Sequence, residues 1–127
     1  MKLSPSEASE EGLAQQGREL VALLKKGEFG SVAKRFGYSL AFDRDPAFAI
    51  QDELASCVSE FQERKLSQTS STESVVVKYF QPNKSNLFAV VECEFEGPQG
   101  CPVLAELIVT ANGEERHVCL EQVSIAA

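Results

Sequence analysis

The stretch Asn86–Glu96, "NLFAVVECEFE", decides the fold, because its side chains alternate between two environments. Successive residues of a β-strand point to opposite faces of a sheet, so Val91 and Phe95 share one face while Glu92 and Glu94 share the other. Burying a carboxylate without a partner costs on the order of several kcal/mol. We therefore expect the acids to face solvent and the apolar residues to pack on helices.

The same period of two extends through the second half of the chain. Three further runs, Ser74–Phe80, Pro102–Thr110 and Glu115–Ile125, bring the predicted sheet to four antiparallel strands. Asn112-Gly113 predicts a type I′ turn between the last two strands. One face of this sheet carries no charge and is expected to meet the helices: Leu87, Ala89, Val91, Cys93, Phe95, Val103, Ala105, Leu107, Val109, Val118 and Leu120.

The opposite face mixes apolar and acidic residues, which predicts an interface. An exposed apolar patch rimmed by glutamates is unusual for a monomer and favours a homodimer through the sheets. The residues expected at this interface are Phe88, Val90, Glu92, Leu104, Glu106, Ile108, Glu121 and Val123, with Ile125 beside them. A merely solvated face is the alternative, and no metal-ligand spacing turns the glutamates into a metal site.

The first half of the chain predicts three helices. Ser4, Pro5 and Glu7 form a capping box that predicts the start of the first helix, and Gly27 its end. A second helix, over residues 29–36, is stopped by Gly37.

Asp45 and Pro46 open a third helix as N-cap and first residue. Its apolar stripe comprises Ile50, Leu54, Cys57 or Val58, and Phe61. Residues 38–42 read as a short extended piece between helices, and the polar segment 63–74 as a loop.

Composition bounds the class of protein. The 127 residues predict one domain, 1–127, and the net charge of −7 disfavours nucleic acid and anionic membranes as partners. The N-terminal residues carry no secretory h-region, no apolar run approaches a membrane span, and a cytoplasmic location follows as the expectation. The four cysteines are scattered, although Cys93 and Cys101 flank one loop where a disulfide is an open alternative.

The order of elements, together with "LLKKGEFGSVAKRF" (residues 23–36), resembles the NTF2-like proteins of the cystatin-like α+β superfamily. The resemblance implies an α+β fold in which N-terminal helices pack on one face of a curved four-stranded antiparallel sheet, forming a cone. That superfamily includes isomerases, dehydratases, small-ligand binders and transport factors, and its enzymes place an Asp, Tyr or His inside the cone. No residue here matches such a motif. The nearest catalytic candidates are Tyr38, Asp43 and His117, and the nearest ligand-binding candidates are Tyr38, Phe42 and Tyr79.

Three hypotheses about function follow. The sequence favours a non-enzymatic ligand-binding or protein-interaction module, dimerising through the sheet and needing no cofactor, whose further partner is a small apolar molecule or a protein. One alternative is a cofactor-independent isomerase or lyase with Tyr38, Asp43 or His117 as its polar group. The other is an acidic inhibitor or immunity-type protein that binds a basic partner. Whether Glu92 and Glu106 line a closed cavity or an exposed sheet discriminates among them.

Overall fold

A computed structural model describes residues 1–64 and 73–126. In these residues, three α-helices pack against a curled five-stranded antiparallel sheet, so the α+β prediction is confirmed. The strand order is β1-β5-β4-β3-β2. The elements are β1 (Lys2–Leu3), α1 (Glu10–Lys25), α2 (Phe29–Phe36), α3 (Pro46–Glu63), β2 (Ser74–Tyr79), β3 (Leu87–Glu96), β4 (Pro102–Asn112) and β5 (Glu115–Ile125).

The fifth strand is a correction to the prediction of four. β1 has only two residues, paired as Lys2 with His117 and Leu3 with Arg116. A two-residue strand shows no period of its own, since its conformation depends on a partner more than a hundred residues away in sequence. Leu3 is buried in the core, so this short strand closes one end of the sheet.

α1 begins later than the capping box predicts. The box itself forms, with the Ser4 amide donating to Glu7 at 2.8 Å and the Glu7 amide donating to the Ser4 hydroxyl at 3.3 Å. It closes a separate turn, however, and Ser9 is the N-cap of the helix, accepting from the Gly12 amide at 3.1 Å. That turn lies against the start of α1, where a Cβ at Gly12 would come 2.2 Å from the Ser6 carbonyl oxygen.

The other two helices follow their local signals. α2 covers the predicted residues and buries Val32 and Phe36, and Gly37 follows it with a φ of +71°. α3 starts where predicted, with the Asp45 carboxylate accepting from the Phe48 amide at 3.2 Å. The piece predicted to be extended is so only at Tyr38, which bridges Leu120, and Ser39–Ala41 form a 3₁₀ turn instead. The predicted loop lies mostly outside the described residues.

The alternation of faces holds along most of the sheet. Val91, Cys93, Leu107 and Leu120 are fully buried beneath the helices, whereas the neighbouring glutamates are partly or fully exposed. The separation into a charge-free face and an acidic face is therefore confirmed for β3 from Ala89 onward and for β4.

Two β-bulges overturn part of the face assignment. One lies between Leu87 and Ala89, and Phe88 there packs against the core instead of facing outward. In the other, Leu107 pairs with Leu120 while Glu106 pairs with Gln122, so Glu121 is the extra residue. An extra residue reverses the face of everything beyond it. Val123 is consequently 1% exposed on the helix side opposite Ala105, which corrects its placement on the outer face, and Ile125 follows it.

The β4–β5 turn differs from the prediction by one residue. Asn112 pairs with Glu115, so the two turn residues are Gly113 and Glu114. Of these two, only Gly113 has a positive φ, +64°. This is the pattern of a type II′ turn rather than type I′.

Candidate functional site

The three catalytic candidates do not form one site. Tyr38 belongs to the core and is only 7% exposed, whereas His117 lies on the opposite face of the sheet, opposite Thr110. Asp43 is exposed in the turn before α3. The His117 ring nitrogen contacts the Glu115 carboxylate at 3.3 Å, which is a surface pair beside the hairpin.

Tyr38 is the one unsatisfied polar group in the described interior. Its hydroxyl is buried and no hydrogen-bond partner reaches it. Burial, reinforced by the negative charge of Glu53, raises the pKa of Tyr38 to about 12. A phenol in that state stays protonated at neutral pH and does not serve as a general base.

The ligand-binding candidates do not share a cavity. Phe42 is 83% exposed, and Tyr79 lies half-exposed at the sheet edge with its ring edge-on to Phe88 at 5.4 Å. The space between helices and sheet is filled by large apolar side chains, among them Phe36, Phe95 and Ile50.

The cavities of the described chain lie at the periphery of the fold. One of them, about 470 Å³, lies between the turn at residues 4–9 and the β4–β5 hairpin. A second, about 360 Å³, adjoins it, and both are lined by Phe88 and Arg116. The guanidinium of Arg116 lies over the Phe88 ring, 4.4 Å from its centroid. This cation–π pair separates the two cavities. A groove of about 300 Å³ between α2 and α3 is lined mainly by apolar side chains.

The outward surface of the sheet carries the remaining sequence-predicted residues. We call it the outer face. It consists of Val76 and Lys78 from β2, Leu87, Val90, Glu92 and Glu94 from β3, Leu104, Glu106, Ile108 and Thr110 from β4, and His117, Cys119, Glu121, Gln122 and Ser124 from β5. All of these side chains are partly or fully exposed.

The pairing register arranges the outer face in rows that cross the strands. One row is acidic, with Glu92 directly opposite Glu106, and Val76 opposite Glu92 on its far side. The next row runs from Lys78 to Val90, Ile108 and Cys119, and we call its last three positions the apolar row. The row after that holds Thr110, His117 and Lys2.

The acidic row carries an electrostatic conflict. Directly opposed like charges destabilise a strand pair. Partial burial, then the charges of Glu92 and Glu121, raise the pKa of Glu106. The ammonium of Lys78 contacts Glu92 at 2.8 Å, and this contact raises the pKa of Lys78. The Glu121 carboxylate accepts a hydrogen bond from Ser39 at 2.8 Å. The row therefore has an excess of negative charge that one lysine only partly offsets.

A second surface feature was not recognised from the sequence. Three apolar side chains before α3 and in its first turn are exposed: Leu40 at 37%, Phe42 at 83% and Phe48 at 66%. The signal was present, because Phe48 falls off the apolar stripe of α3 and so has no place in the core. From the sequence, Phe42 was instead a ligand-binding candidate.

Comparison with protein-family models, with curated proteins and with solved structures gave no match. The resemblance to NTF2-like proteins therefore stays a prediction. Within residues 1–64 and 73–126, no three His, Cys, Asp or Glu side chains are grouped as a metal ion would require. The helices of the same residues are all too short or too polar to cross a bilayer.

Proposed function

We propose that this chain is a non-enzymatic interaction module, of the NTF2-like cone type, that self-associates through the outer face. The observation that carries the proposal is the apolar row of Val90, Ile108 and Cys119, which no described helix covers. Leu104 and Val76 extend this apolar surface on either side of the glutamates. The filled interior and the separation of Tyr38 from His117 favour such a module over an enzyme.

The order of the rows is self-complementary. A two-fold axis lying in the interface and crossing the strands at the apolar row places Val90 and Ile108 of one copy on those of the other. The same axis brings Glu92 and Glu106 of each copy over Leu87 and Thr110 of its partner, in the row where His117 and Lys2 lie one and two strands further across. The glutamate rows of the two copies are thereby kept apart, and such avoidance of like charges fixes the register of an interface more than it adds affinity.

The expected affinity is low because the face is small. Four strands about 4.8 Å apart and four rows about 7 Å apart cover roughly 500 Å² per copy. Two copies would bury on the order of 1,000 Å², which is the lower end of specific interfaces. Self-association is therefore expected at roughly tens to hundreds of micromolar, a range that transient pairs occupy.

Sedimentation velocity over a wide range of protein concentration tests the proposal. Ile108→Lys places a charge in the apolar row and should abolish the dimer. Phe48→Lys is the matched control, because it places the same charge on an exposed apolar residue of α3 and should leave the dimer intact. A wild-type chain that stays monomeric at millimolar concentration, or an Ile108→Lys variant that dimerises as before while folded, contradicts the proposal.

The acidic row favours a second candidate, an acidic protein that neutralises a basic partner. Glu92 and Glu106 face each other and Glu94 is exposed beside them, so a cationic surface would relieve their repulsion. Binding to a basic probe such as polylysine, lost on changing Glu92 and Glu106 to Gln and retained in Ile108→Lys, would support this candidate over self-association.

A further inference from the structure

We propose that the exposed apolar residues before and within the first turn of α3 form a docking surface for a protein segment that carries both apolar and basic side chains. We call this surface the aromatic corner and define it as Leu40, Phe42 and Phe48. The three residues lie within nine consecutive positions of the chain, and each is exposed by more than a third. Aromatic side chains, phenylalanine among them, are enriched at protein–protein interfaces relative to the rest of the surface.

Phe42 is held in a conformation that folding alone does not favour. Its φ is +54° and its ψ is −118°, a region that glycine adopts readily and that a residue with a bulky side chain occupies under strain. Its ring is 83% exposed, so core contacts do not compensate for that strain. A strained residue that contributes little to packing points to a functional role for its side chain.

The loop that presents Phe42 is fixed from both sides. The buried Ala41 precedes it, and the Arg44 guanidinium donates to the carbonyl oxygens of Ala41 and Leu40 at 3.4 and 3.2 Å. On the other side, Asp45 caps α3 and positions Phe48 in its first turn. A side chain fixed before binding loses less conformational freedom when a partner arrives.

The charge around the aromatic corner selects the kind of partner. Residues 39–53, which include the aromatic corner, carry the carboxylates of Asp43, Asp45, Asp52 and Glu53, and Ser39 binds that of Glu121; the cation of this segment is Arg44, which donates to backbone carbonyls. An acidic rim around apolar anchors attracts lysine and arginine and repels anionic lipid headgroups. It also repels a second copy of the same corner. The fitting occupant is therefore a basic amphipathic segment of another protein, of the kind that presents leucines on one helix face and lysines on the other.

A designed 14-residue helical peptide of leucine and lysine is the probe, and a peptide with glutamate in place of each lysine is its matched control. We expect the lysine peptide to bind in low salt, to shift amide NMR signals of residues 39–53, and to weaken as salt rises. The double variant Phe42→Ser/Phe48→Ser should lose at least about ten-fold in affinity, because two anchors are removed. Phe80→Ser, which removes an aromatic ring that is 44% exposed at the sheet edge, should bind as the wild type does.

Phe42→Gly separates a binding role from a structural one. Glycine relieves the positive φ, so its denaturation midpoint should equal or exceed that of the wild type while binding of the lysine peptide weakens. A lowered midpoint would assign Phe42 to the fold and overturn the proposal. So would equal binding of the glutamate peptide, signal shifts confined to the outer face, or capture by phosphatidylcholine vesicles without capture of the lysine peptide. Sedimentation of the double variant shows whether self-association is retained, which keeps this result distinct from the fate of the outer face.

Discussion

Replacing Gly17 by alanine tests how closely α1 packs on the sheet. A Cβ added there would lie 2.7 Å from Val75 Cγ1, 2.9 Å from Val91 Cγ1 and 3.0 Å from Cys93 Sγ. Alanine is favoured over glycine in a helix by about 1 kcal/mol, but overpacking a core costs about 1–3 kcal/mol. Val91 and Cys93 are fully buried, and valine has little rotamer freedom, so the contacts are not relieved by rotation. Because the added Cβ would meet three such atoms at 3.0 Å or less, the cost lies in the upper part of that range, about 2–3 kcal/mol. After the helix gain is subtracted, we expect Gly17→Ala to lower the free energy of unfolding by about 1–2 kcal/mol.

Gly30→Ala is the control for this experiment. Gly30 lies in the first turn of α2, and a Cβ there meets nothing within 4 Å. The helix preference then acts alone, and the variant should gain about 0.5–1 kcal/mol. Urea denaturation followed by circular dichroism, at a protein concentration low enough to keep the chain monomeric, measures both values. A Gly17→Ala variant as stable as the wild type, beside a stabilised Gly30→Ala, would refute the close packing of α1 on β2 and β3.

Three further substitutions or labels probe single groups. Tyr38→Phe should raise the free energy of unfolding by about 1 kcal/mol, because it removes a buried hydroxyl without a hydrogen-bond partner. Tyr79→Phe at the exposed sheet edge is the control and should leave the free energy of unfolding unchanged. A destabilised Tyr38→Phe variant would mean that the Tyr38 hydroxyl is hydrogen-bonded after all. Glu106→Gln should stabilise the fold at pH 7 by a few tenths of a kcal/mol. Folding raises the pKa of Glu106 above 4.5, so the wild type loses stability as pH rises through the pKa of the folded state. The stability gained by Glu106→Gln should therefore vanish below about pH 4. Urea titrations of both proteins at pH 7 and below about pH 4 check this. Cys119 is partly exposed on the outer face and should be the thiol that a maleimide modifies first. At high protein concentration self-association should protect it, which mass spectrometry of the labelled chain measures. Labelling of Cys93 at the same rate would contradict the burial of Cys93.

The helices and most strands could be predicted because their signals are local. Asp45 and Pro46 mark the start of α3 within two residues, and Gly37 marks the end of α2 by a positive φ that glycine tolerates. The start of α1 was predicted wrongly because Ser4 and Ser9 each accept from the amide three residues further on, and only the bond to Ser9 opens a helix. The two residues of β1 are too few to show the alternation of a strand, so the sequence does not predict their pairing with β5.

The bulges show why the fold was easier to predict than the surface. The two-residue alternation of side chains predicts the correct face of the sheet until a bulge adds one residue to a strand. Beyond the bulge, the alternation assigns every side chain to the wrong face. Glu121 is such an added residue, and the buried Val123 beyond it is a core residue that the alternation placed outside.

The same shift changes what the outer face can bind. With Phe88, Val123 and Ile125 turned toward the helices, the broad apolar patch expected from the sequence narrows to the row of Val90 and Ile108, between carboxylates on one side and His117 with Lys2 on the other. A broad patch would accept partners in many orientations. A narrow row with carboxylates along one side favours one register, because moving the two-fold axis from the apolar row to the Glu92–Glu106 row would bring the glutamates of one copy onto those of the other. The bulges therefore reduce the exposed apolar area, which lowers the expected affinity, and restrict the orientations in which two copies can pair. A weak but specific self-associating surface would need that restriction.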